Sequence, residues 1–204
     1  MAVLWPWSSP AQLIALRGPR LLLRLPQNGD YQAWYDLRKA SRDFLKPFEP
    51  RWTEADLART VFTTRVKRAR QEAEEGSDYS FLIFSTADGG ETLVGGLTLS
   101  NVRRRAAQFV NLGYWMGREF AGQGMMTEAV GITLPFVFDS LDLHRIHAAF
   151  LPGNAASRRV LEKNGFAEEG FAPGYLQIDG RWEDHVLFGL TRERYEARRR
   201  TRHA

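Results

Sequence analysis

The sequence predicts a mixed α+β fold, in which a central and mostly antiparallel sheet is flanked by helices. Three observations lead to this class. Several strand-like runs follow one another closely in the middle of the chain, as in a meander. A strand, a helix and a strand then follow in order, which requires a parallel pair joined by a crossover. A last hairpin is marked by the two-residue turn Asp179-Gly180.

Length and composition favour one domain. The chain has 204 residues, 44% of them hydrophobic, so it can bury a proper core, and we expect the domain to span residues 20–192. Residues 1–19 are expected to form an N-terminal extension and residues 193–204 a basic tail. The absence of cysteine excludes disulfides and a thiol nucleophile and is compatible with a reducing cytoplasm.

Neither a membrane span nor a secretory signal is apparent. No apolar run approaches the ~20 residues that a membrane helix needs. The first ten residues, MAVLWPWSSP, carry two prolines, and no Lys or Arg precedes Arg17. We therefore expect a cytoplasmic protein with no membrane partner.

The first part of the chain predicts a strand followed by two helices. The run RLLLRL at residues 20–25 is strand-like, and apolar residues on one helical stripe predict a helix over residues 30–45. A Lys-Pro-Phe-Glu-Pro turn ends this helix. At Thr53 the pattern T-E-A-D resembles a capping box, so a second helix should run to about Glu75, where Gly76 ends it.

Three strands are predicted next. The runs YSFLIFS and LVGGLTLS are joined by turn residues at positions 87–90, which indicates a hairpin. The run QFVNLGYWM at residues 108–116 adds a third strand beside them.

The crossover unit occupies the second half. A helix is expected over residues 126–140, the strand RIHAAF over residues 145–150 and a short helix over residues 155–164. Pro135 lies inside the first of these helices, where its ring removes one hydrogen bond and crowds the carbonyl four residues back. We expect a kink or an early helix end near residues 132–135.

Two glycines precede the crossover helix in the stretch AGQGMMTEAV. In one interpretation Gly122 and Gly124 only turn the chain, because glycine reaches positive φ at little cost. In the other, they hold an anion, because unpaired amides and the positive end of the helix dipole point out of a helix start. A Walker loop would require G-K-[ST] after the second glycine, and a dinucleotide fingerprint would require a third glycine in place of Thr127. Both are excluded.

This loop and the segment PGNAASRRVLEKNGF beyond it resemble the GNAT N-acetyltransferases, which use acetyl-coenzyme A. The family's loop reads Gln/Arg-x-x-Gly-x-Gly/Ala, and only the middle glycine matches strictly in the aligned residues 121–126. The departures matter little, because backbone N–H groups bind the phosphates. The chain is also similar to the RimJ type of this family, the ribosomal-protein alanine N-acetyltransferases. That similarity rests on the segments FLKPFEP, LSNVRR, HRIHAAFLPGNAAS and GYLQIDGRWEDHVLF.

The resemblance implies the GNAT fold, in which the sheet opens between the strands QFVNLGYWM and RIHAAF to admit acetyl-CoA. The loop amides would face the pyrophosphate. The strand end at Trp115 and Met116 would pair with the pantetheine arm, and one of its backbone N–H groups would donate to the thioester oxygen. Asn154 would hydrogen-bond the cofactor, or cap the helix that follows it. The implied cofactor residues are Trp115, Met116, Ala121, Gly122, Gln123, Gly124, Met125, Met126, Thr127, Asn154 and Ser157.

With no cysteine to carry an acyl group, direct attack of an amine on the thioester is the simplest chemistry. Many family members place a tyrosine in the helix after the asparagine as proton donor, but Leu161 stands in that slot. Ser157 remains as a candidate acid, since RimL-like relatives are thought to use a serine there. The alternative is that Ser157 only caps or solvates the helix start.

The proton acceptor is less defined. A peptide α-amine titrates near pH 8, so about a tenth is neutral at pH 7, whereas under about one part in a thousand of a lysine amine is neutral. This difference corresponds to roughly 3 kcal/mol, so an enzyme acting on N-termini can use a weak base. Glu49 and Asp184 are candidates, and each is also interpretable as a structural acid. Where RimL-like relatives offer a glutamate, this chain has Gly174.

Other side chains give weaker signals. His144 and His147 would point to opposite faces of a strand with no third ligand, so no metal is expected. Trp182, Tyr175 and Trp34 would line an acceptor groove or belong to the core.

The terminal run RERYEARRRTRHA leaves two readings open. It is either a frayed, solvated tail or a contact with RNA or the ribosome. The expected function is acetylation of a protein N-terminus, with a ribosomal protein beginning with Ala or Ser as acceptor. The alternatives are a small-molecule amine acceptor, such as an antibiotic or polyamine, and a non-catalytic ribosome-associated protein. The sequence leaves a monomer or a homodimer open.

Overall fold

The computed structural model describes residues 14–87 and 89–203, without the side chains of the last two residues. In this part of the chain eight strands form one mixed sheet. They are β1 (Ala15–Arg17), β2 (Leu21–Arg24), β3 (Tyr79–Ser85), β4 (Thr92–Arg103), β5 (Phe109–Met116), β6 (Arg145–Phe150), β7 (Ala167–Ile178) and β8 (Arg181–Thr191).

The strand order is β1-β2-β3-β4-β5-β6-β8-β7. Within the described residues β5 and β6 form a parallel pair, and every other neighbouring pair is antiparallel. The predicted mixed sheet, with a meander followed by a crossover, is confirmed. The edge strand β1 lies inside the predicted N-terminal extension, so the sheet begins before residue 20. Asp88, in the predicted hairpin turn, lies outside the described residues.

The helices are α1 (Tyr31–Ala40), α2 (Arg42–Leu45), α3 (Arg59–Glu75), α4 (Met125–Pro135), α5 (Ala155–Lys163) and α6 (Arg192–His203). No helix in the described part of the chain is both long and apolar enough to cross a bilayer.

Two predicted helices are divided. The helix expected over residues 30–45 breaks at Ser41, whose backbone leaves helical geometry. The capping box at Thr53 is present, but it starts a 3-10 turn, and the extended Ala58 separates this turn from α3. The predicted end is correct, because Gly76 closes α3 in the left-handed region at φ 70°.

The crossover helix changes geometry where Pro135 predicts a break. The α-helical part, α4, ends at Pro135, and a π-helical turn over Phe136–Ser140 continues it. Because proline has no N–H, the regular i→i−4 ladder cannot continue through it. The first turn of α4 is unaffected, and this is the part that faces the glycine loop.

The sheet separates two apolar layers, because side chains alternate across it. In β3, Phe81 and Ile83 pack with α4, whereas Leu82 and Phe84 pack with α1 and α3.

The arginine-rich terminus is a docked helix rather than a frayed tail. Tyr195 of α6 is buried and stacks on Phe138, with ring centroids 4.7 Å apart. Arg192 bonds Asp142 at 2.6 Å, and Arg198 donates to the carbonyl of Lys163. One aromatic anchor therefore orders a segment whose composition alone predicted solvation.

Candidate active site

The sheet opens between β5 and β6. Their parallel pairing begins at Phe109 with Arg145 and ends at Leu112 with Ala148. The last four residues of β5 stay paired with β4 only, while the end of β6 stays paired with β8. The splayed sheet that the sequence implied is therefore confirmed, and a wedge-shaped opening follows.

The glycine loop lies at the mouth of this wedge. Gly122 and Gly124 adopt φ of 79° and 77°. A Cβ added at Gly122 would meet no atom within 4 Å, so the positive φ, not crowding, requires glycine there. Gly124 is the N-cap of α4, whose first amides have no partner within the helix. The turn and the anion interpretations are thus compatible, because the turn is what exposes these amides.

A cavity of about 350 Å³ occupies the wedge. It extends from the glycine loop along α5 to the loop after α2. Its lining includes eleven of the residues predicted for the site: Glu49, Trp115, Met116, Ala121, Gly122, Gly124, Met125, Met126, Thr127, Asn154 and Ser157.

Two other predicted residues lie outside the cavity lining. The side-chain amide of Gln123 donates to the carbonyl of Glu119 at 2.8 Å, so it folds back over the loop. The Asp184 carboxylate accepts a hydrogen bond from the backbone N–H of Gly174 at 2.8 Å. Asp184 is therefore engaged in the hairpin and is not brought together with the other candidates.

A pair of hydroxyl groups lies in the cavity. Ser157 is buried, and its Oγ lies 2.7 Å from the phenolic oxygen of Tyr114 on β5. Burial raises the pKa of Tyr114 to about 12, against a smaller opposing effect of the hydrogen bond to Ser157. The phenol therefore stays protonated at neutral pH. Asn154 is the N-cap of α5, because its Oδ1 accepts from the Ser157 N–H at 3.0 Å.

Sequence reasoning missed Tyr114, although a signal was present. On a strand, residues two apart share a face, and Met116 was already a candidate. The contact joins residues 43 positions apart, so only the fold brings the phenol to the serine.

The Glu49 carboxylate is held by three donors. Arg38 binds it through both terminal nitrogens at 2.7 Å each, and Trp52 Nε1 donates at 3.0 Å. The Arg38 guanidinium lies over the rings of Trp52 and Trp115, 4.9 and 4.8 Å from their centroids. A carboxylate offers about four acceptor positions, so Glu49 has little capacity left to take a proton directly.

The loop carrying Glu49 is fastened to the last hairpin. The Asp179 N–H donates to the Glu49 carbonyl at 2.9 Å, and the Asp179 carboxylate lies 3.7 Å from both Lys46 and Arg51. This turn thus holds the outer wall of the cavity in place.

Aromatic residues divide between wall and core. Phe44 and Phe48 line the cavity and are partly exposed. Trp182 is 69% exposed and Tyr175 47% exposed on the hairpin, whereas Trp34 is buried in the core. Of the two alternatives that the sequence left open for Trp34, the structure shows the core position.

Helix α5 contributes residues that the sequence reasoning did not single out. Arg159, Val160 and Lys163 line the cavity beside Ser157. Asn164, at the end of α5, donates to the carbonyls of Thr127 at 3.1 Å and Val160 at 2.9 Å. The hydrogen bond to Thr127 joins the end of α5 to the start of α4.

The two histidines do not form a metal site. His147 stacks on Phe109, with ring centroids 4.6 Å apart, and His144 lies 3.6 Å from Glu193. Among the described residues no three His, Cys, Asp or Glu side chains cluster as metal ligands would.

Comparison with known proteins agrees with this geometry. Residues 20–167 match the family model described as acetyltransferase (GNAT) domain. The chain belongs to the GNAT family. It is 34% identical to the probable N-acetyltransferase YjcK of Bacillus subtilis, over 86% of this chain and 96% of that protein. It is 33% identical to the [ribosomal protein uS5]-alanine N-acetyltransferase of Escherichia coli, over 87% and 91% of the two chains.

A solved structure extends this result. Mycobacterium smegmatis RimJ in complex with CoA-disulfide superposes with a TM-score of 0.80 and 36% identity, over 88% of this chain and 86% of that one. This GNAT protein is thus an acetyl-CoA-dependent N-acetyltransferase with RimJ-like relatives. The opened strands and the exposed amides at the start of α4 fit such a cofactor.

Proposed function

We propose that this GNAT acetyltransferase acetylates the α-amine of a protein N-terminus, and that a ribosomal protein beginning with Ala or Ser is its acceptor. The similarity to the Escherichia coli enzyme that acts on ribosomal protein uS5 supports this acceptor. Such an acceptor would place the reaction in the cytoplasm.

The observation that carries the proposal is the charge of the cavity wall. A polyamine or an aminoglycoside antibiotic carries several positive charges and is best recognised by an acidic groove. Among the described lining residues Glu49 is the single acid, and Arg38 already neutralises it. Arg159 and Lys163 add two positive charges to the same wall. This balance disfavours a polycation and suits a single N-terminal amine.

The cofactor would lie along the cavity. The amides at Gly122, Gly124 and the first turn of α4 would bind the pyrophosphate, as helix starts bind phosphates elsewhere. The outer edge of β5 at Trp115 and Met116 would pair with the pantetheine arm. Acetyl-CoA supplies an activated acetyl thioester when it is bound. The role of Asn154 in this arrangement is to cap α5 and so fix the position of Ser157.

Ser157 is proposed as the proton donor to the departing thiolate, and Tyr114 as the residue that positions it. A phenol that donates to Ser157 Oγ leaves the serine O–H free to point into the cavity. Since Tyr114 keeps its proton at neutral pH, it is able to donate to Ser157 over the working range.

The acceptor amine would lose its proton to a weak base. Glu49 is proposed to attract the incoming amine and to pass its proton through water, because its oxygens already bind Arg38 and Trp52. Asp184 remains the second candidate for this role, although its carboxylate holds Gly174. A weak base suffices for an N-terminal amine, whose ordinary pKa is near 8.

The test is acetyl transfer from labelled acetyl-CoA to three acceptors. These are peptides beginning with Ala or Ser, the same peptides with a blocked N-terminus and an internal lysine, and spermidine. Label on the free α-amine alone supports the proposal. Preferential label on spermidine or on lysine would refute it, and cofactor binding without transfer to any of the three would refute this acceptor class.

A further inference from the structure

Two arginine-rich segments lie at the end of the sheet where β5 and β6 begin. The first is the end of β4 and the turn after it, which carries Arg103, Arg104 and Arg105 in a row. The second is α6, whose sequence RERYEARRR over residues 192–200 contributes five more arginines. The wedge opens at the other end of the same strands, after Leu112. The arginines are therefore separated from the cavity by the paired part of the sheet.

The short segment that enters β6 joins these two elements. The Arg104 guanidinium donates to the Leu141 carbonyl, and the His144 N–H donates to the Gln108 carbonyl at 2.8 Å. On the other side, the Arg192 N–H donates to the His144 carbonyl at 2.9 Å. The two elements thus flank one connection and form a continuous surface. This arginine surface consists of residues 103–105, 139–144 and 192–200.

The arginine surface carries the net charge of the protein. It contains eight arginines and four carboxylates, those of Asp139, Asp142, Glu193 and Glu196. Its excess of four positive charges equals the formal net charge of the whole chain, +4. The rest of the sequence is therefore balanced, and the attraction of the protein for a polyanion is concentrated at this end of the sheet.

Part of this charge is available to a partner. Arg192 binds Asp142 at 2.6 Å, and Arg199 binds Asp139 at 3.0 Å. Four other arginines of the surface are exposed and form no salt bridge within the described residues: Arg103, Arg105, Arg194 and Arg200. Two of them come from the turn and two from α6, so a ligand that uses all four must lie across both elements.

The side chains of the arginine surface suit a nucleic acid better than a protein or a membrane. Protein interfaces depend on buried aromatic anchors, and membrane-surface helices depend on an apolar face. In the described chain the large apolar side chains that are exposed all lie elsewhere: Phe44, Phe48, Phe171, Tyr175, Leu176 and Trp182. Nucleic-acid interfaces are instead polar and strongly positive, and the planar guanidinium binds two phosphate oxygens at once.

We propose that the arginine surface binds the phosphate backbone of RNA. The choice of RNA over DNA rests on the proposed function, because a ribosomal protein acceptor is presented beside RNA. Bound RNA leaves the cavity open, since β6 runs about 17 Å from Arg145, beside the arginine surface, to Phe150, beside the wedge. The contact thereby raises the effective concentration of the enzyme near its acceptor.

Fluorescence anisotropy of a labelled RNA hairpin, titrated with the full chain at several salt concentrations, tests the proposal. Two double variants and one control each remove two exposed positive charges: Arg103→Gln/Arg105→Gln, Arg194→Gln/Arg200→Gln and, on α3, the control Arg59→Gln/Lys67→Gln. With four arginines on phosphates, log affinity of the wild type should fall with log salt concentration at a slope of about −3 to −4. Each surface variant should bind about tenfold or more weakly at low salt, with a slope shallower by about 1.5–2. The control should keep the wild-type affinity and slope.

A DNA hairpin of the same sequence, anionic phospholipid vesicles and poly-glutamate are titrated in parallel. RNA should bind at least as tightly as DNA and more tightly than the vesicles or poly-glutamate. The proposal is overturned by absence of RNA binding at low salt, by an equal loss in the control, or by a preference for any of the other three ligands. Urea unfolding should be the same in all variants, because the substituted side chains are exposed. The titration requires no turnover, so failure of acetyl transfer to the peptides refutes the acceptor and not the RNA contact.

Discussion

The hydroxyl pair in the cavity gives the sharpest test of the proposed mechanism. Tyr114→Phe removes the oxygen that lies 2.7 Å from Ser157 Oγ and keeps the aromatic ring. Ser157 is only 8% exposed, so water replaces the lost partner poorly. Leaving a buried hydroxyl without a partner costs about 1–3 kcal/mol. If the bond orients Ser157 during proton transfer, a loss of about 1–2 kcal/mol corresponds to a roughly 5- to 30-fold lower kcat.

The assay is a double-mutant cycle in kcat. Thiol release and peptide acetylation are followed for the wild type, Tyr114→Phe, Ser157→Ala and the double variant. Since Tyr114 is proposed to act only through Ser157, the double variant should be no slower than Ser157→Ala, which gives a coupling of about 1 kcal/mol or more. Unfolding free energies and CoA affinities separate a catalytic effect from a folding or binding effect. Additive losses, or a Tyr114→Phe variant with wild-type kcat, would refute the reasoning.

The remaining predictions concern the loop, the acids and pH. Gly122→Ala should destabilise the fold by about 1–2 kcal/mol and weaken CoA binding, because alanine disfavours its positive φ. Gly113→Ala, where an added Cβ also meets no atom within 4 Å, should change neither urea unfolding nor calorimetry. Glu49→Gln should lower kcat/KM about tenfold or more for a peptide that begins with Ala. Asp184→Asn should retain most of the activity. If Asp184→Asn were the slower variant, Asp184 in the last hairpin would be the base instead of Glu49. Folding raises the pKa of Tyr114 from its ordinary value of 10.0 to about 12. The protonated phenol's contribution to the free energy of unfolding is therefore complete below pH 10 and is lost as the pH rises towards 12. Over that window, urea unfolding should show the wild type losing up to about 2.7 kcal/mol more than Tyr114→Phe.

Local signals predicted much of the fold and many of the residues that line the cavity. Strand runs, the Asp179-Gly180 turn and the glycine loop each depend on neighbouring residues, so a sequence can display them directly. The break of the crossover helix at Pro135 was likewise predicted from a single backbone property. Capping of α5 by Asn154 belongs to the same class, because donor and acceptor are three residues apart.

The remaining features depend on contacts between distant segments. Tyr114 contacts Ser157, which lies 43 positions further along the chain. Glu49, the carboxylate that Arg38 binds, lies beyond the break that separates α1 from α2. The terminal helix α6 was not predicted, because one buried tyrosine, Tyr195, orders it among charged neighbours. Composition predicts solvation for such a segment, whereas the aromatic stack on Phe138 depends on where the crossover ends.

The opening of the sheet connects binding with catalysis. Where β5 leaves β6 after Leu112, the outer N–H and C=O groups of its last residues lose their strand partners. Backbone groups in a partly buried cleft need partners, and a pantetheine arm carries two amides that can act as an additional strand. The departure point lies two residues before Tyr114, so the wedge beside this edge is also lined by the phenol and by Ser157, whose hydroxyl the phenol contacts. If the parallel pairing continued past Leu112 and Ala148, β6 would cover both the strand edge and the hydroxyl pair. Ending the parallel pairing at this residue therefore opens the proposed cofactor groove and brings the proposed proton-transfer pair to its wall.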